Sequence, residues 1–300
     1  MGIRGWKAEA GVFLAVAFVA AGLFGAVQPA TGIPPEVLQL TQFGPAAGVF
    51  ALALLWPARI RRRMAGALSA APDPAPAPGS GAGSGAEAGA GPGAGPRAGA
   101  GDELPTPRGT GATSTAGWLL LTAPLIIALA AGAYAVLHGG PVATDPRTLS
   151  HPFLLVAVAQ LVGACGEEIG WRCLLQPLLR TRFGPLTASV LVGLVWGVWH
   201  VGVFAQAPAY AAGFLVATVA MSVVLGLALE RVRGGRLLLA GGFHALVNLG
   251  MLLFMDEESG AVPPMLLFGA ASLVAAVLWV LLTGGRAQGV TIAAVRRSAL

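Results

Sequence analysis

The stretch Phe153-Leu154-Leu155-Val156-Ala157-Val158-Ala159-Gln160-Leu161-Val162-Gly163-Ala164-Cys165-Gly166-Glu167-Glu168-Ile169-Gly170-Trp171-Arg172 decides the fold. It starts as an apolar run fit for lipid, then carries two adjacent carboxylates and a guanidinium along with it. The 300 residues around it are 56% hydrophobic and only 10% charged, with mean hydropathy +0.76. Soluble domains are about a quarter charged. Apolar runs of about 18 to 22 residues recur, each long enough to cross a hydrocarbon core as a helix. The chain reads as an all-α, polytopic, multi-pass protein of the cell membrane.

Eight transmembrane helices are expected, at about 8–28, 37–58, 115–137, 152–180, 185–206, 211–230, 237–255 and 262–283. Arg4 and Lys7 ahead of the first run also fit a signal peptide, but that run is long for one. The second is the weakest, because Thr41, Gln42 and Pro45 interrupt it. Of the 18 Lys and Arg, 17 are Arg, and they cluster between apolar runs. With both termini cytoplasmic, Arg59, Arg61, Arg62, Arg63, Arg180, Arg182, Arg231, Arg233 and Arg236 all fall inside, while Asp256, Glu257 and Glu258 fall outside. That is the distribution positive charge adopts across a membrane. It also explains the pI near 10.2 without nucleic acid, since no basic patch or aromatic platform is visible.

Three regions follow: a transmembrane hairpin over 1–64, a linker over 65–114 and a membrane domain over 115–300. The linker is rich in Gly, Pro and Ala, has nothing to bury and is expected to be disordered. Its Gly99-Ala100-Gly101-Asp102 string imitates an aspartyl-protease motif, but the Asp lies in no span. Its Gly-Ser-Gly strings give no support to a serine nucleophile.

Ionisable groups at membrane depth are costly and mark function. Here they are few and expected on three helices: Glu167, Glu168 and Arg172 on the fourth, His200 on the fifth, His244 with Asn248 on the seventh. Glu168 and Arg172 stand i,i+4, as do His244 and Asn248, so each pair shares a face. At ~1.5 Å per residue, Glu167, His200, His244 and Asn248 all fall ~11 to ~22 Å from the cytoplasmic side, one overlapping band. A structural ion pair accounts for Glu168 and leaves Glu167 without a cation along the chain. Paired carboxyls beside imidazoles suit proton transfer.

These residues resemble the CAAX-protease and bacteriocin-processing (CPBP, or Abi) family of intramembrane glutamic proteases. Glu167, Glu168 and Arg172 meet its EExxxR motif in the EExGWR form. His200 meets FxxxH with Trp196 in place of Phe, an aromatic exchange expected to alter pocket shape and leave the chemistry intact. His244 and Asn248 meet HxxxN. The resemblance covers about 150–252. It implies an endopeptidase without metal or other cofactor, acting on a membrane-associated, CAAX-type or leader peptide. Glu167 and His200 would polarise the attacking water, His244 and Asn248 would bind the oxyanion, and Arg172 would hold Glu168. Trp171 and Trp196, through their motif positions, are expected to contact substrate.

Other readings make different demands. Two Glu and two His could hold zinc, but HExxH is absent and Arg172 competes for the ligand oxygens. A non-catalytic membrane scaffold or bacteriocin self-immunity protein would use the same helices to bind a partner. A proton-coupled transporter would show paired broken helices in two related halves, and none is evident. His138 and His151 read as solvated interface residues, Glu230 as a surface partner of its neighbouring arginines, and Cys165 and Cys173 as small packing residues.

Overall fold

The computed structural model describes residues 5–65, 110–140, 143–232, 234–255 and 260–297, with side chains from 115 in the third long helix and to 283 in the last. The 65–114 tract, its Gly99–Asp102 string, Arg4, Arg233 and the Asp256–Glu258 run lie outside or almost wholly outside the described residues. Within them the protein is all-helical. The helices are α1 (Gly5–Thr31), α2 (Gly44–Leu55), α3 (Pro57–Arg63), α4 (Thr110–His138), α5 (Phe153–Gly170), α6 (Gln176–Arg180), α7 (Pro185–Trp199), α8 (Pro208–Leu229), α9 (Arg236–Phe254) and α10 (Val262–Arg297).

All eight expected spans contain helix, and among the described residues six helices are long and apolar enough to cross a membrane. The shorter two are Leu40–Leu55 and Pro185–Trp199. In the first, the interrupting Thr41 and Gln42 lie in a 3-10 turn, Leu40–Phe43, and the α-helix starts only at Gly44-Pro45. In the second, the helix ends at His200 (φ −78°, ψ 62°) and the chain continues as a 3-10 turn, Val201–Ala205. His200 therefore caps a helix end instead of standing in mid-span. The long fourth span runs unbroken from α5 to α6 through one π-helical turn, Trp171–Leu175. Such turns shift side chains by one position and occur at functional sites.

Helix α8 is the hub, with α7 and α10 packed on it, while α5 pairs with α9 and α4 lies against α9 and α10. Small residues permit the close crossings: a Cβ on Gly269 would stand 2.7 Å from the Gly213 carbonyl oxygen, where α10 meets α8. The outer faces carry exposed Leu, Val and Phe, as a lipid-facing bundle requires. Helices α1 and α2 pack on each other, and α2 also packs on α5.

One buried carboxylate escaped the sequence reading, which confined them to three helices. Glu9 on α1 is 1% exposed. It accepts a hydrogen bond from Arg59 Nη1 at 2.8 Å and pairs with Arg63 Nε at 2.9 Å. The cluster ties the start of α1 to α3 and closes the base of the hairpin.

Candidate active site

Glu167 and Glu168 are consecutive residues in the last turn of α5 and point to different neighbours. Glu167 Oε2 accepts from the indole Nε1 of Trp196 on α7 at 2.8 Å. Glu168 Oε1 accepts from His244 Nδ1 on α9 at 3.0 Å, and Oε2 lies 3.4 Å from Arg172 Nε. The i,i+4 ion pair is thus present, long for a hydrogen bond and fully buried. The guanidinium is also stacked over Trp196, its Cζ 4.7 Å from the ring centre. Charge and ring stacking hold Arg172, in place of a bidentate fork.

His200 is oriented by the end of its own helix. The last carbonyls of a helix lack amide partners, and His200 N–H bonds back to Gly197. The carbonyl of Trp196 is 2.8 Å from His200 Nδ1. A carbonyl only accepts, so Nδ1 carries the hydrogen and Nε2 keeps its lone pair in the neutral ring. Phe214 and Trp199 flank the imidazole edge-on. Asn248 Nδ2 donates to Gln160 Oε1 at 3.0 Å.

These side chains converge on a partly open cavity of about 780 Å³ lined by Gln160, Glu167, Trp196, His200, His244 and Asn248, among others. Glu168 and Arg172 are not on its wall; they sit behind it, Glu168 against the wall residue His244 and Arg172 against the wall residue Trp196. Trp171 is also absent from the wall. Its ring is fully buried edge-on between Phe13 and Trp199, which corrects the expectation that it touches substrate. Trp196 does line the cavity, but its first task is holding Glu167, so replacing Phe there changes more than shape. No group of three or more His, Cys, Asp or Glu among the described residues is arranged to hold a metal.

Gln160 went unnoticed in the sequence. It stands two turns before Glu167, and a lone polar residue at i−7 in an apolar run marks the same face. The residues given bland roles differ in detail. Glu230 pairs across 50 residues with Arg180 (2.6 and 2.9 Å), not with Arg231. His138 stacks on Tyr134 at 4.2 Å, exposed, and both cysteines are free.

Fold and site together define a polytopic helical membrane protein whose Glu, His and Asn side chains converge on one partly open cavity. Residues 149–250 match the family model described as Type II CAAX prenyl endopeptidase Rce1-like, in agreement with the family that the three motifs resemble. The chain is similar to Lysostaphin resistance protein A of Staphylococcus epidermidis (strain RP62A), 24% identical over 135 residues, 45% of this chain and 35% of that protein. It is also similar to the protein of that name from Staphylococcus aureus (strain MRSA252), 29% identical over 112 residues, 37% of this chain and 26% of that protein. The chain thus matches about a third or less of the length of these curated relatives. The family match supports a membrane-protease kind of function.

Proposed function

We propose that the protein is an intramembrane endopeptidase that hydrolyses a peptide bond in a membrane-associated substrate with a Glu/His-activated water and no metal. The observation carrying this reading is that Glu167, His200, His244 and Asn248, from three helices, share one cavity wall with complementary hydrogen-bonding capacity. Trp196 occupies Glu167 Oε2, leaving Oε1 as an acceptor for water. His200 offers Nε2 as a second acceptor. Water held between two acceptors attacks the scissile carbonyl: its oxygen bonds to carbon, its proton passes to the carboxylate or imidazole, and the carbonyl oxygen takes the negative charge.

Asn248 and His244 are the groups for that oxygen. Asn248 is held by Gln160, and Glu168 on His244 Nδ1 supports an imidazolium whose Nε2–H donates on the cavity side. Such preorganised donors act strongly in a dry site. When the C–N bond breaks, the departing amine takes the proton first removed from water. Both carboxylates already hold hydrogen-bond or ionic partners, which favours organic acid–base catalysis over a zinc shell. The reading puts both termini in the cytoplasm, because the arginine distribution favours that orientation.

The test is proteomic. Cleaved membrane peptides are compared between cells making the native protein and cells making Glu167→Ala or His200→Ala. Products should vanish in both variants while insertion and melting stay native. Full cleavage in either would defeat the assignment. The competing reading is a binding scaffold that confers resistance without catalysis, favoured by the name of the staphylococcal relatives; it requires function to survive Glu167→Ala.

A further inference from the structure

The hairpin α1–α2 lies outside the 149–250 match, yet it supplies a wall of the same cavity through Phe18, Gly22, Glu36, Gln39, Thr41 and Gln42. Gln42 is the polar member that folding has buried, at 7% exposure, on the 3-10 turn before α2. Its Oε1 is buried with no hydrogen-bond partner, and no bond to its Nε2 is found among the described residues. Burying a primary amide in that state is unfavourable unless something else completes it.

The amide is seated on α5. A Cβ on Gly163 would collide with Gln42 Oε1 and stand 3.2 Å from Nε2, so the oxygen is the amide atom packed most closely on the glycine, and Gln42 lines the cavity. Gly163 and Glu167 are i,i+4 and share a face of α5. An amide from a separate part of the chain therefore lies against α5 about one helical turn from the carboxylate assigned to water activation, and both line the same cavity.

We propose that Gln42 is a substrate-binding residue, its Nε2 donating to a backbone carbonyl of the peptide beside the scissile bond, with Gly163 as the seat that sets its position. This rests on the endopeptidase reading above. A main-chain acceptor makes the contribution independent of the side chains flanking the cleavage site. It also gives the N-terminal hairpin a part in holding substrate that the matched segment alone lacks.

The test follows the full-length protein in cell membranes, with the membrane proteome itself as probe and the initial rate of each Glu167-dependent product as readout. Gln42→Met and Gln42→Glu keep the shape and remove the donor; each should slow every product about 3- to 10-fold at a native melting temperature. Gly163→Ala, which pushes the amide off its seat, should slow them likewise. Native rates in a folded Gln42→Met or Gln42→Glu protein would overturn the proposal and leave the Glu167 chemistry standing. So would a rate loss in Gln42→Met matched by a lower melting temperature while Gln42→Glu stays native in both, which marks Gln42 as a packing wedge. Absence of any Glu167-dependent product would remove the endopeptidase reading itself, and this proposal with it.

Discussion

Trp196 donates its indole N–H to Glu167 Oε2 at 2.8 Å, and the same residue's backbone carbonyl receives His200 Nδ1 at 2.8 Å. One residue thereby sets the orientation of both groups assigned to the attacking water. The ring adds two more contacts, carrying the Arg172 guanidinium on its face and His244 at 5.1 Å edge-on. A phenylalanine at this position could supply the ring and the carbonyl but not the N–H.

Trp196→Phe therefore isolates one hydrogen bond. A bond to a charged group contributes about 1.5–3 kcal/mol, so kcat should fall about 10- to 100-fold with the cavity still formed. Steady-state kinetics on a cleaved peptide found in the proteomic screen provides the check. An unchanged kcat would mean that Glu167 is positioned without the indole.

His200→Asn separates orientation from basicity. The asparagine amide can replace the N–H facing the Trp196 carbonyl, but it provides no basic nitrogen. Cleavage should drop at least about 100-fold, the usual worth of a general base, while the melting temperature changes little. Retained activity would remove His200 from the proton path.

Arg172→Met should strip the fully buried Glu168 of its ion-pair partner and destabilise the bundle by about 3–5 kcal/mol. Arg172→Lys should recover only part of this, since an ammonium lacks the planar face that stacks on Trp196. Combining Arg172→Met with Glu168→Gln should restore much of the stability, because the buried carboxylate charge is gone and the introduced amide oxygen can still accept from His244 Nδ1 in its neutral ring. Unfolding in mild detergent reads all three; equal stability of Arg172→Met and native protein would contradict the ion-pair role.

Replacing Arg59 and Arg63 together by alanine should leave Glu9 buried and uncompensated. A loss on the order of 3 kcal/mol is expected, concentrated where α1 meets α3. Hydrogen exchange should accelerate in those two helices and hold steady in α8. Uniform exchange across the bundle would show that the Glu9 cluster does not anchor the hairpin.

The features legible in the sequence were those set by local spacing. The Glu168–Arg172 face follows from i,i+4 geometry, and so does the shared wall of His244 and Asn248. The apolar runs located the six long apolar helices, because lipid demands length and hydropathy from each one separately, but not the arginine-rich α3. What spacing could not reveal depends on other helices. Trp171 looked like a lining residue until the π-helical turn and Phe13 turned it into the core. Glu230 found Arg180 across 50 residues instead of its neighbour. Glu9 sits near the end of a span, where a carboxylate seems ordinary until two arginines from α3 enclose it. The polar break at Thr41-Gln42 was visible, but its purpose required the facing surface of α5.

The cavity is built from two stretches of chain that are far apart in sequence. One carries the acid–base groups, and the other faces them with α1 and the turn before α2. On the endopeptidase reading, mutational drift in the opposing surface would change which polypeptides are admitted while the proposed acid–base groups stay fixed, so proteins sharing the EExxxR, His and HxxxN signatures could diverge in their targets without any alteration to those signatures.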